Sequence, residues 1–144
     1  MTDHEEAACR LQEMLRFDTT NPPGNELALV THLAASLQAE GLQAEVLESA
    51  PDRASLAVRL RGDGSERPLL MMSHLDVVPA EPSRWSHPPF AGQISDGILY
   101  GRGAIDSKLT AAVHLQVLLM AHRNRLPLQR DLVLIAAADE VAQI

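Results

Sequence analysis

Three places in this chain carry side chains that could do chemistry together. His74 and Asp76 stand two residues apart behind the apolar run Leu69-Leu70-Met71-Met72. Asp106 sits at a Gly-flanked turn, in Tyr100-Gly101-Arg102-Gly103-Ala104-Ile105-Asp106-Ser107-Lys108. Asp139-Glu140 closes a second apolar run that begins at Leu132. On an extended segment residues i and i+2 share a face, so an imidazole and a carboxylate arrive together at one strand end. Neutral imidazole and carboxylate oxygen are both zinc ligands, at about 2.0–2.2 Å. His74 and Asp106 therefore suit metal binding, and Asp76 could hold the second ring nitrogen of His74, fixing its tautomer. A carboxylate can also bridge two metals about 3.5–4 Å apart. Glu140 could take a proton from an activated water and return it to a leaving amine.

Each residue has a plainer reading. A single His-x-Asp is more often structural or solvated than a ligand. Asp106 precedes an apolar helix and could simply cap it. Asp139 and Glu140 could be a solvated strand end. His87, His114 and His122 read as loop or helix-surface residues, not ligands. Gly101 and Gly103 do not make a phosphate cradle, because the third Gly of a dinucleotide fingerprint and the Lys-Ser/Thr of a P-loop are both missing. What favours a metal site is the joint arrangement at successive strand ends.

The elements that must position these residues follow from periodicity. Residues 3–17 read as a helix, with Cys9 small and buried or half-buried within it. The cluster Asp18-Thr19-Thr20-Asn21-Pro22-Pro23-Gly24-Asn25 is dense in turn formers. On composition alone it reads as a connecting turn, and otherwise as a structured loop near a site. A second helix runs from Asn25 to about Glu40, with Leu27, Val30, Leu33, Ala34 and Leu37 on one face. Residues 43–49 and 54–61 read as strands, and 54–61 should neighbour 68–73 across the Gly62–Ser65 turn. The run behind His74 reads as a buried strand. A long irregular segment reaches Gly97, and Asp96-Gly97 is a tight turn before the short strand 98–100. Residues 106–122 form an apolar helix, and 132–138 a buried strand. Helix alternating with buried strand predicts an α/β fold: a three-layer αβα sandwich around a mostly parallel sheet, with sites beyond the carboxyl ends of the strands.

Composition sets outer bounds. At 144 residues and 46% apolar, the chain suffices for a domain with a real core, built of Leu, Val, Ala and Met because aromatics make up only 3%. A net charge of −7 argues against a nucleic-acid partner, which needs a basic face. One cysteine excludes both an intrachain disulfide and a thiolate cluster. The acidic N-terminus has no apolar leader pattern, and no stretch reaches the roughly 18 apolar residues needed to span a bilayer. The expectation is a cytoplasmic protein with no membrane partner.

Ser73-His74-Leu75-Asp76-Val77-Val78-Pro79, then Trp85 with Pro88-Pro89-Phe90, then Asp96 to Lys108, then Ala138-Asp139-Glu140, resembles the di-zinc exopeptidases and deacylases. These include aminoacylase-1, acetylornithine deacetylase, succinyl-diaminopimelate desuccinylase and glutamate carboxypeptidase. Asp18 to Glu26 is similar to that family's N-terminal signature. The resemblance implies His74 as the first zinc ligand, Asp76 as the residue orienting it, Asp106 as the carboxylate bridging both zincs, and Glu140 as general base. It implies two Zn2+ per complete site, with Co2+ able to substitute. The implied reaction is hydrolysis of an amide next to a carboxylate, in a small peptide or N-acyl amino acid.

The sequence also departs from that pattern. The family usually follows the Asp with two glutamates, the second a zinc ligand, and here that position is Val141. Ser107 and Leu109 stand where Met or Thr and Gly are common. The family's later Asp and His ligands, and its inserted dimerising domain, have no counterpart in 1–144. Residues 1–144 therefore read as the N-terminal part of a metallopeptidase catalytic domain, inactive alone, whose full-length form would be a homodimer. Exposed sheet edges and apolar helix faces are expected to follow. The alternative is a degenerate, non-catalytic module that binds peptide or a partner chain.

Overall fold

The computed structural model describes residues 2–141. Its elements are α1 (Asp3–Leu15), α2 (Leu27–Ala39), β1 (Ala44–Ala50), β2 (Arg53–Leu60), β3 (Leu69–His74), β4 (Gln93–Ser95), β5 (Ile98–Tyr100), α3 (Lys108–Arg123) and β6 (Leu132–Ala137). Strands β1, β2, β6 and β3 form one sheet in that order, and β4 and β5 a small hairpin. The α/β class is as the sequence indicates. Among the described residues no helix is long and apolar enough to cross a membrane.

The core follows from alternation along the strands. Ala54, Leu56 and Val58 of β2, and Leu132, Leu134 and Ala136 of β6, are buried on one face. Against them pack Leu11, Met14 and Leu15 of α1, Leu29, Val30, Leu33 and Leu37 of α2, and Ala111, Leu115, Leu118 and Leu119 of α3. The core is aliphatic, as the scarcity of aromatics requires. The alternate residues Val133, Ile135 and Ala137 remain half-buried on the opposite face.

Several details differ from the sequence reading, each for a local reason. Residues 54–61 and 68–73 are not neighbours, because β6 lies between β2 and β3. The intervening loop instead arches over the entry to β6: Asp63 N–H donates to Leu128 O at 2.9 Å and Glu66 N–H to Gln129 O at 2.9 Å. The sheet is less parallel than expected, since only β3 and β6 run parallel. The two residues between β1 and β2 leave room only for an antiparallel hairpin. Strand β3 is not buried but lies at the sheet edge, with Leu70 52% and Met72 58% exposed. Cys9 is exposed, because α1 turns Leu11, Met14 and Leu15 inward instead. The irregular segment before Gly97 contains a turn of 3-10 helix (Pro82–Arg84) and strand β4. Asp96 and Gly97 both take positive φ (52° and 77°), the two-residue turn that suits a right-twisted hairpin.

The ends of α1 and α3 are clasped by charge. Arg123 donates to Glu6 through Nη1 (2.6 Å) and Nη2 (2.8 Å), and to Glu40 through Nη2 (2.6 Å) and Nε (3.0 Å). Hydrogen bonding from Arg123 holds the Glu6 carboxyl down to about 2. A depressed carboxyl contributes stability that is full above its ordinary value near 4.5 and is lost as pH falls toward about 2. Arg123→Met should therefore flatten the acid limb: urea midpoints between pH 4.5 and pH 2 should fall less steeply in the variant than in the parent chain.

The exposed edge gives a second expectation. Odd-numbered residues of β3 face β6 with their backbone groups, as Leu69 N–H to Asp131 O (2.9 Å) and Leu75 N–H to Ala137 O (2.8 Å) show at its two ends. Leu70 and Met72 thus present apolar side chains beside outward-facing backbone groups, a template for pairing with another chain. Leu70→Lys with Met72→Lys should lower self-association, read as a smaller weight-average mass by light scattering at high protein concentration. An unchanged mass would show that the edge plays no part.

Candidate metal centre

His74 ends β3, and its place is fixed by Ser107 just before α3. His74 N–H donates to Ser107 Oγ at 3.0 Å, and the Ser107 hydroxyl donates back to the His74 carbonyl at 2.9 Å. The strand end and the turn that carries Asp106 are thereby joined. The imidazole is mostly enclosed, its side chain 12% exposed. Its Nδ1 lies 2.9 Å from the backbone carbonyl of Asp76 and 3.4 Å from Asp76 Oδ1. A carbonyl only accepts, so Nδ1 carries the proton. Nε2 is left facing two carboxylates, Asp106 Oδ1 at 2.9 Å and Glu140 Oε2 at 3.6 Å. Burial opposes charging the ring, but Asp106, the Asp76 carbonyl and Glu140 outweigh it and raise the His74 pKa.

Asp76 lies beyond the strand, completely buried. Its Oδ2 accepts from Asn21 Nδ2 at 3.0 Å and from the Val141 N–H at 2.9 Å, and its Oδ1 accepts from the Glu140 N–H at 3.2 Å. Burial alone would raise this carboxyl; the donors of Asn21, Val141 and Glu140 bring it below its ordinary range. The carboxylate thus mainly holds the 139–141 turn, while the shortest contact to the imidazole comes from the Asp76 backbone. The i, i+2 pair does meet, though by a different atom than a strand-face argument suggests.

Asp106 and Glu140 are side-chain 88% and 64% exposed, and both lean toward Nε2. Asp139 turns away: its Oδ1 accepts from Arg53 Nη1 at 3.0 Å and Asn21 Nδ2 at 3.1 Å. Among the described residues no group of three or more His, Cys, Asp or Glu side chains is placed to hold a metal ion. The donor types still fit a zinc-like cation at Nε2 and Asp106. An acceptor nitrogen held against carboxylate oxygens is a poor arrangement until a proton or a metal lies between them. His87 packs on Tyr100, with ring centroids 4.2 Å apart, and His122 Nε2 lies 3.0 Å from the Glu40 carbonyl, so neither joins the cluster.

Several residues beyond His74, Asp76, Asp106 and Glu140 build the site. The 18–25 cluster is more than punctuation. Thr19 Oγ1 donates to the Leu75 carbonyl at 2.6 Å, Thr20 bridges Val77, and Asn21 underlies the site. Lys108 is fully buried, its Nζ donating to the Met14 and Phe17 carbonyls at 3.2 and 2.9 Å. That ties the Asp106 turn to the end of α1, and burial pulls the Lys108 pKa down to about 8. The Gly-Arg-Gly run serves this packing: a Cβ on Gly103 would lie 2.6 Å from Val77 Cγ1, and one on Gly101 2.8 Å from Leu15 Cδ1.

The pattern that defines peptidase family M20/M25/M40 matches residues 70–141, half of the chain, and runs through His74, Asp76, Asp106 and Glu140. The chain belongs to this family. M20 relatives agree. A succinyl-diaminopimelate desuccinylase of Delftia acidovorans is 45% identical over 85 residues, covering 56% of this chain and 22% of that protein. The bovine N-fatty-acyl-amino acid synthase/hydrolase PM20D1 is 37% identical over 83 residues, covering 57% of this chain and 16% of that protein. The M20 metallo-carboxypeptidase Sso-CP2 of Sulfolobus solfataricus has the same fold, with a TM-score of 0.77 at 22% identity over 92% of this chain and 30% of that one. The matches therefore span less than a third of these M20 proteins. These similar proteins carry the names of a desuccinylase, an acyl-amino-acid synthase/hydrolase and a metallo-carboxypeptidase.

The geometry separates a structural carboxylate from an exposed one. Asp76→Ala strands the backbone N–H groups of Glu140 and Val141 and removes one of the three acceptors of the Asn21 amide, and each orphaned donor costs about 1–3 kcal/mol. It should lower stability by about 3–5 kcal/mol in urea denaturation, whereas Asp106→Ala, at an exposed side chain, should change it by less than about 0.5 kcal/mol. Equal losses would mean that Asp76 is not the anchor.

Proposed function

We propose that this chain is the N-terminal part of a zinc-dependent hydrolase that cleaves an amide bond in a small peptide or an N-acyl amino acid. In this reading His74 and Asp106 would be the metal ligands, Asp106 being the carboxylate that would be shared. Asp76 orients His74, and Glu140 carries the proton. The observation that carries the reading is the His74 ring. Its Nδ1 proton is committed to the Asp76 carbonyl at 2.9 Å, while Nε2 faces Asp106 Oδ1 at 2.9 Å. When bound, a divalent metal supplies Lewis acidity toward the scissile carbonyl and acidifies a water. The chain's own residues do the rest. Asp76 keeps the imidazole in the one tautomer that leaves Nε2 free. Ser107 fixes the height of the ring relative to Asp106. Glu140, 64% exposed beside Nε2, can accept a proton and deliver it to the departing nitrogen. Kinship with a desuccinylase and a fatty-acyl-amino-acid hydrolase supports acylated amino acids as substrates.

A catalytic zinc normally has three protein ligands, and residues 1–144 offer two for one ion and a shared carboxylate for the other. The chain alone should therefore bind Zn2+ weakly, and hydrolysis of N-acyl amino acids or dipeptides should fall below detection. Isothermal titration with Zn2+ checks the first point: weak binding is expected, abolished by His74→Ala. Stoichiometric tight zinc, or zinc-dependent hydrolysis lost in His74→Ala, would overturn the claim that the ligand set is incomplete. No response to His74→Ala would overturn its role as ligand. Val141 in place of the resembled family's second glutamate favours a second reading, a non-catalytic module that binds peptide or a partner chain. Peptide binding without any zinc response would support that one.

A further inference from the structure

We propose that Arg53, acting through Asp139, is a positioning residue for Glu140, an inference that rests on the reading of Glu140 as proton carrier. Arg53 opens β2, remote in sequence from every motif above. Its guanidinium divides between two carboxylates. Nη2 and Nε donate to Glu26 at 3.2 and 3.4 Å, and Nη1 donates to Asp139 Oδ1 at 3.0 Å. Glu26 is fully enclosed, so this end of the clamp is fixed by the cost of leaving a buried charge unpaired. The loop makes room for it. A Cβ on Gly24 would come 2.4 Å from Arg53 Nε, and Gly24 has φ +88°.

The other end of the clamp sets a backbone conformation. Asp139 has φ 62°, a region that few residues other than Gly adopt and that Asp tolerates better than most. Its Oδ1 takes hydrogen bonds from both Arg53 and Asn21. The next residue is Glu140, whose N–H is held by Asp76 Oδ1 at 3.2 Å and whose Oε2 reaches to 3.6 Å from His74 Nε2. With the left-handed turn at Asp139 held, the Glu140 side chain leaves the chain toward the imidazole. If the turn relaxes, it no longer does. No bond joins Arg53 or Asp139 to His74 or Asp106, so the clamp places the proton carrier and takes no part in chemistry.

The test uses the 144-residue chain labelled with 15N. Arg53→Met strands the buried Glu26 and can unfold the chain, so Asp139→Gly carries the test and Asp139→Asn is the rescue. Gly keeps the positive φ and removes the carboxylate; Asn keeps both the φ tolerance and an oxygen acceptor. Asp139→Gly should speed amide hydrogen exchange at Glu140 and Val141 by about tenfold, the scale of one exposed ion pair and one hydrogen bond together. It should also shift the His74 ring nitrogen resonances and leave the melting temperature within about 2 °C. Asp139→Asn should restore exchange and resonances. Unchanged exchange and resonances in Asp139→Gly, equal acceleration throughout the chain, or failure of Asn to rescue would each overturn the proposal. Neither readout needs metal or substrate, so a failure of the hydrolase reading registers separately, in zinc binding.

Discussion

The structure hangs on one buried charge. Asp76 is inaccessible to water, and a carboxylate there is tolerated only if its lone pairs are met. They are met by three donors from two distant segments: the Asn21 amide from the loop after α1, and the backbone N–H groups of Glu140 and Val141 from the end of β6. The charge therefore binds together parts of the chain more than fifty residues apart. Its backbone carbonyl meanwhile holds His74 Nδ1. One residue satisfies the scaffold with its side chain and the imidazole with its main chain. The tautomer of His74 thus depends on the integrity of the fold, not on a free side chain finding its place.

Around this anchor the site divides into a rigid floor and reachable groups. Asp76, Lys108 and Asn21 are buried and fully engaged. Asp106 and Glu140 reach solvent. The two sets serve different needs, since groups that exchange protons or meet a cation must be accessible, while those that fix geometry must not move. Lys108 shows the cost of the floor. Burial depresses its ammonium to about 8, while its hydrogens are taken up by the Met14 and Phe17 carbonyls. The charge of Asp18 offsets part of that depression.

Much of this was legible in the sequence because it follows from periodicity and local chemistry. The buried face of α2 is the one that spacing picks out, through Val30, Leu33, Ala34 and Leu37. The His74, Asp76, Asp106 and Glu140 quartet converges because all four stand at or beyond strand ends or turns. What escaped is what depends on partners far along the chain. Hydropathy places Lys108 and Arg53 outside; they lie inside because Gly101, Gly103 and Gly24 lack side chains and let backbone and guanidinium approach. Strand order escaped for a related reason. Leu69–Met72 is apolar enough to read as buried, but which strand flanks it is decided by β6, some sixty residues later. Cys9 was misplaced because a short helix pattern leaves its phase loosely defined until the core face of α1 is seen.

Val141 can be understood in the same terms. At this position the turn uses only main-chain atoms: the N–H donates to Asp76 Oδ2 at 2.9 Å, and the carbonyl accepts from Asn21 Nδ2 at 3.1 Å. The side chain contributes nothing to either bond. A residue with a carboxylate here and one without it would therefore hold the same backbone and leave Glu140 in the same place. The turn constrains its neighbours and leaves its own side chain free. The turn therefore sets no requirement on the side chain at position 141. The geometry around His74 rests instead on the Asp76 carbonyl and on Ser107, whatever side chain stands at 141.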